Sequence, residues 1–182
     1  MNQQKTLRDS AGLRWTALLL LALAMFCAYI FMDILSPIKD LMQTQRGWDS
    51  DAFGTMQGAE TFLNVFVFFL IFAGIILDKM GVRFTALLSG GVMLIGAIIK
   101  WYAVSDAFIG SGLETWFTNN LNHIPVFEQL GVSPFYEGMP ASAKLAALGF
   151  MLFGCGAEMG GITVSRGIVK WFKGREMALA MG

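Results

Sequence analysis

The stretch WTALLLLALAMFCAYIFMDIL, residues 15–35, carries a single charged side chain, Asp33. A helix needs about 20 predominantly apolar residues to cross a bilayer, and this stretch has that length. Three further runs of the same kind follow at 53–77, 84–104 and 145–169, and a fifth begins at about Met177. The 182 residues are 55% hydrophobic and 14% charged, whereas a soluble domain carries roughly a quarter charged residues. Backbone groups find no water in hydrocarbon, so spanning elements are helices or a closed barrel. Nothing here alternates polar and apolar over the roughly ten residues of a barrel strand. The sequence predicts an all-α membrane protein with four transmembrane helices and the start of a fifth.

The first run has the flanks of a signal peptide, with Lys5, Arg8 and Arg14 before it and Ala22-Leu23-Ala24 inside it. Its apolar character continues through Phe26 to Met32, longer than a cleaved core, which favours a retained helix. Cys27 follows the large Met25 and Phe26, unlike a lipoprotein processing site, and is read as packing. Lys and Arg stay on the cytoplasmic side of a membrane. Lys5, Arg8 and Arg14, then Lys79 and Arg83, then Lys170, Lys173 and Arg175 all fall on one side of the four spans. Asp40, Asp49, Asp51, Asp106, Glu114, Glu128 and Glu137 fall opposite, with Lys39, Arg46, Lys100 and Lys144 near them. The amino terminus is therefore expected in the cytoplasm. The 13 basic and 13 acidic residues cancel, which leaves no argument for nucleic acid as a partner.

Residues 105–143 carry Pro125, Pro134, Pro140 and His123, the only histidine, and read as an external loop with a short helix around Glu114 to Asn120. Connections of this length are either functional or disordered, and the sequence does not choose. His123 stands alone and Cys27 and Cys155 lie inside spans, so no metal and no cofactor is expected. The Gly-Ser-Gly at 110–112 lacks the spacing of a nucleophile elbow. No enzyme is expected.

A charge at mid-membrane costs roughly 3 kcal/mol even on lenient scales, so acids inside spans are informative. There are three: Asp33, Glu60 and Glu158. Glu158 is the deepest, about 18 Å from either end of its run at 1.5 Å per residue. It is read as a proton site or a site for a substrate amine, ahead of a structural acid. Asp33 fits an interfacial or a functional role equally, and Glu60 is read as structural. Arg166 is close enough to the cytoplasmic end to snorkel. Gly154, Gly156, Gly160 and Gly161 strip bulk from the helix around Glu158, which suits close helix packing and also leaves room for a solute.

The turn between the second and third runs reads Gly74-Ile-Ile-Leu-Asp78-Lys79-Met80-Gly81-Val82-Arg83. Gly74 suits close helix contact and Gly81 a tight turn, while Asp78 suits a cap or the positive end of a helix and Lys79 and Arg83 a cytoplasmic position. This spacing resembles the G-x-x-x-D-[RK]-x-G-x-[RK] signature of the major facilitator superfamily, with Val82 where many members carry a basic residue. A second block, Phe153-Gly-Cys-Gly-Ala-Glu158 followed by Lys170-Trp-Phe-Lys-Gly-Arg175-Glu176, resembles the fourth helix and following turn of that superfamily. With the Asp33 to Pro37 region and Gln43-Thr44-Gln45, it is similar to the branch of lysosomal dipeptide uniporters and their bacterial relatives.

The resemblance implies a twelve-helix fold of two halves, each built of two inverted three-helix repeats, in which the first and fourth helices line the cavity. That would place Asp33 and Glu158 on corresponding helices, with Gly74, Asp78, Lys79, Gly81 and Arg83 as a cytoplasmic gate motif and Arg175 and Glu176 in the turn after the fourth helix. It also implies an amino-terminal fragment whose partners are the missing carboxy-terminal half, the lipid bilayer of a bacterial inner membrane, a small-molecule substrate and protons. The expected function is alternating-access transport of a small polar organic solute, such as a short peptide. The competing expectation is a non-transporting membrane scaffold that uses the external loop to bind partners.

Overall fold

The computed structural model describes residues 10–122, 124–129, 131–174 and 176–181. Lys5, Arg8, His123 and Arg175, singled out above, lie outside them. All regular structure among the described residues is helical. Three helices are long and apolar enough to cross a membrane: Ala11–Arg46, Phe69–Val104 and Ala141–Phe172.

The first of these comprises α1 (Ala11–Asp33), a 3-10 turn at Ser36–Ile38 and α2 (Lys39–Arg46). Ser10 caps α1 by accepting from the Leu13 amide, and Gly47, at φ 66°, ends α2 in the left-handed conformation. Asp49 caps α3 (Ser50–Phe66), its side chain accepting from the Ala52 amide at 2.7 Å. The run expected at 53–77 is not one helix. It breaks after Phe66, and Phe68 takes φ 54°. The break sits in Val65-Phe-Val-Phe-Phe69, a string of β-branched and aromatic residues that are weak helix formers. With no glycine or proline to mark it, the sequence pattern passes over it.

The chain resumes as α4 (Phe69–Val104), which Gly81 divides into two legs at φ 80° and ψ 170°. That backbone conformation is open to glycine and strained for other residues. After α4 come α5 (Gly112–Asn120), α6 (Pro125–Gln129), α7 (Ala141–Phe172) and α8 (Met177–Met181). The last begins where the fifth run was expected.

α7 is the axis of the bundle, with 67% of its most apolar window buried, against 17% and 22% for the other two long helices. Its neighbours are read from their register. Trp48 donates to Ser142 and the Glu60 backbone lies on Gly154, so α3 runs parallel to α7. On the second leg of α4, Ser89 donates to the Gly156 carbonyl at 2.8 Å, Gly96 abuts the Phe153 backbone and Lys100 abuts Gly149. Rising numbers on one meet falling numbers on the other, so the two are antiparallel. α1 is antiparallel as well, through Met25 on Gly160 and Phe31 stacked on Phe153 at 4.7 Å. Leu77 and Val82, flanking Gly81, share a buried cluster with Leu18, Ile168 and Phe172, which places the reversal near the carboxy-terminal end of α7.

Lipid offers no hydrophobic drive for helices to associate, so shape and close approach hold the bundle. Of the four glycines around Glu158, three serve this: Gly154 against α3, Gly156 against α4 and Gly160 against α1. Gly161 faces open space, as does Gly74, for which close contact was expected.

The 105–143 segment is a folded cap. Phe108, Phe117 and Phe135 are buried, Lys144 donates to Asn122 at 2.7 Å, and Phe127 of α6 meets Phe62 edge-on at 4.8 Å. The helix expected near Glu114 to Asn120 is α5. Arg46 pairs with Asp106 at 2.7 Å, and the Tyr136 hydroxyl donates to Asp49 at 3.2 Å. At the opposite end Arg14 pairs with Glu176 at 3.1 Å and lies over the Phe172 ring, while Trp15 donates to the same carboxylate.

A Cβ at Gly154 would overlap the Glu60 carbonyl. Gly154→Ala is therefore expected to destabilise the protein by about 1–3 kcal/mol, read as a lower unfolding midpoint in detergent, whereas Gly161→Ala leaves the midpoint unchanged or raises it. Burial first, then the hydrogen bond to Asp49 and the charges of Asp49 and Asp51, push the Tyr136 phenol up to about 12. A raised phenol stabilises the fold below its ordinary value near 10, and that contribution is lost as pH rises through about 12. The phenolate absorbance that disappears in Tyr136→Phe should titrate at the upper value.

Candidate functional site

The contacts of Trp48 with Ser142 and of Glu60 with Gly154 share one register offset, and the same offset sets Asn64 at the level of Glu158. Gln57, Glu60 and Asn64 follow one another at helical spacing on α3, and all three are half-buried. Glu158 is half-buried one turn beyond Gly154, on the α7 face that receives α3. Glu60 lies within electrostatic reach of Glu158, Lys100 and Asp33. Glu60 thus has charged neighbours on α1, α4 and α7, although the three carboxylates do not converge on one point.

Several polar atoms here are buried without a hydrogen-bond partner among the described residues: Gln57 Oε1, Asn64 Oδ1 and Nδ2, and Lys100 Nζ. Gln57 spends its amide on Ser36 at 3.3 Å, which leaves its carbonyl idle. Lys100 is 2% exposed, with its ammonium 3.6 Å from the centre of the Phe150 ring and 5.1 Å from that of Phe31. An unmade hydrogen bond in a buried site costs about 1–3 kcal/mol, and native proteins keep few such atoms without a reason.

The expected site residues are distributed as follows. Glu158 stands in this cluster. Asp33, the last residue of α1, is exposed but within electrostatic reach of Glu60 and Lys100. Glu60, read as structural, is the member that links the others. Lys100 was read as a basic residue near the external side, whereas its head folds back among Phe31 and Phe150. The spacing of Gln57, Glu60 and Asn64 in an apolar run is the signal that sequence reasoning passed over. Cys155 is buried as expected, while Cys27 is exposed on α1.

The turn motif lies away from this cluster. Asp78 pairs with Arg166 at 3.0 Å, both side chains largely exposed. Lys79 and Arg83 are exposed and Gly81 makes the reversal. A crevice of about 330 Å³ lined by Leu77, Asp78, Gly81, Arg166 and Lys170 opens there. Glu176 is held by Arg14 and Trp15. A second crevice, of about 50 Å³, lies between Met25, Ser89 and Gly160 and is mostly apolar. Among the described residues no three metal-ligating side chains converge.

If the idle amide of Asn64 is kept for a ligand, removing it relieves the resting protein. Asn64→Leu is expected to raise the unfolding midpoint in detergent, by the equivalent of about 1–2 kcal/mol; a lowered midpoint would mean that Asn64 is a structural hydrogen-bonding residue.

The chain matches no family model, no curated protein and no solved structure.

Proposed function

We propose that the chain forms part of a secondary transporter that moves a small polar organic solute by alternating access, in the manner of the major facilitator superfamily it resembles in sequence. The observation that carries this reading is the set of unpartnered polar atoms beside Glu60, Glu158 and Asp33 inside an apolar bundle. Ionisable residues at membrane depth mark solute or ion pathways.

Counting legs gives four crossings: α1, α3 with the first leg of α4, the second leg of α4, and α7, with α8 opening the next. Arg14, Lys79, Arg83 and Lys170 gather at one end and Asp40, Asp49, Asp106 and Glu137 at the other. By the positive-inside preference the first end, and the amino terminus with it, lies in the cytoplasm of a bacterial inner membrane. In this reading a second helical half supplies the opposite wall of the cavity. The exposed Asp78–Arg166 pair and its crevice face that half, and rocking between halves carries the solute past Glu158.

Glu158 takes the solute's ammonium or a coupling proton, because a carboxylate in a partly dry site gains most from whichever cation neutralises it. A short peptide has a fitting charge. The 105–143 cap buries Phe108, Phe117 and Phe135 against the chain's own helices, while Ile109, Leu113, Trp116 and Val126 stay exposed on it and are the surface a partner-binding scaffold would use.

The test is uptake by proteoliposomes holding the chain together with its second half. Glu158→Gln should lower uptake at least tenfold or abolish its dependence on pH. Unchanged affinity together with an unchanged pH profile would remove Glu158 from the mechanism.

A further inference from the structure

Lys100 is the member of the cluster that the proposed function leaves without a role. Its ammonium offers three donors and no acceptor, and none of the three finds a partner among the described residues. A lysine near a helix end ordinarily snorkels to water. This one is 2% exposed, with its nitrogen over the rings of Phe150 and Phe31. The aromatic faces offset part of the lost hydration, but they accept no conventional hydrogen bonds. Glu60 and Asp33 act on it through space, and neither is its hydrogen-bond partner.

The poles of the site are also segregated. Lys100 lies at the level of Phe150, and Glu158 lies eight residues further along α7, about 12 Å at 1.5 Å per residue. Phe150 is buried whereas Phe31 is half-buried.

We infer that Lys100 is the anion-receiving arm of the site: its ammonium takes a carboxylate carried by the solute while Glu60 and Glu158 hold the solute's cationic end. The inference rests on the solute-site reading above and narrows it to solutes bearing both charges. A charge-assisted hydrogen bond to a carboxylate satisfies the idle donors, and a solute lacking that carboxylate leaves them as they are.

The probes are alanylalanine and its C-terminal amide, which share the ammonium and differ in the carboxylate. Binding to the purified chain together with its second half in detergent is read from the unfolding midpoint by tryptophan fluorescence. Alanylalanine is expected to raise the midpoint at concentrations at least tenfold below those the amide requires. Lys100→Met should abolish that preference and Lys100→Arg should retain it. The ratio of acid to amide in the unsubstituted protein tests the inference without any variant. Equal action of the two compounds, or a preference that survives Lys100→Met, overturns the role of Lys100 and leaves the solute site standing. A midpoint that neither compound shifts overturns both.

Discussion

The bundle depends on the backbone of α3 at Glu60 lying directly on Gly154 of α7. In lipid, apolar side chains gain nothing by leaving one apolar neighbour for another, so association rests on van der Waals fit and hydrogen bonds made at short range. Glycine lets the two backbones meet. Gly149 and Gly156 of α7 and Gly96 of α4 repeat the device between α7 and the second leg of α4, and Ser89 adds a hydrogen bond to the Gly156 carbonyl. The same approach brings the polar side of α3 against α7, so packing and site share one cause.

Polar atoms in such a place work against stability. The idle groups of Gln57, Asn64 and Lys100 and the crowded carboxylates of Glu60 and Glu158 are locally unfavourable, and the tight seams around them make the arrangement tolerable. At the ends of the bundle the charges are instead paired. Arg46 meets Asp106 and Arg14 meets Glu176, and each pair ties a segment outside the long helices to a helix or helix end. Paired charges at the rims and unpaired polar groups within separate what fixes the structure from what is left for chemistry.

The long helices were legible because hydrocarbon imposes a length and a composition that few soluble sequences meet. Gly81 was legible as a turn because a left-handed residue wants glycine. The break at Phe68 was not, since it is made by residues that also suit the interior of a span. Glu158 stood out by depth alone. Lys100 did not, because a lysine near the end of a run looks the same in sequence whether its head reaches water or turns back over an aromatic ring. Asn64 and Gln57 gain their meaning from α7, almost a hundred residues away, and that partner is set by tertiary packing. The order within the cap was equally hidden: scattered aromatics reveal their targets, such as Phe62 for Phe127, only after the chain has folded.

The central position of α7 has a consequence for biogenesis. It is synthesised after the other two long helices of the described residues, yet it touches α1, α3 and the second leg of α4. A helix bearing Glu158 and Arg166 is a poor candidate for insertion into plain lipid. Arg166 meets Asp78 of the first leg of α4, so helices made earlier supply α7 with a polar partner that lipid lacks.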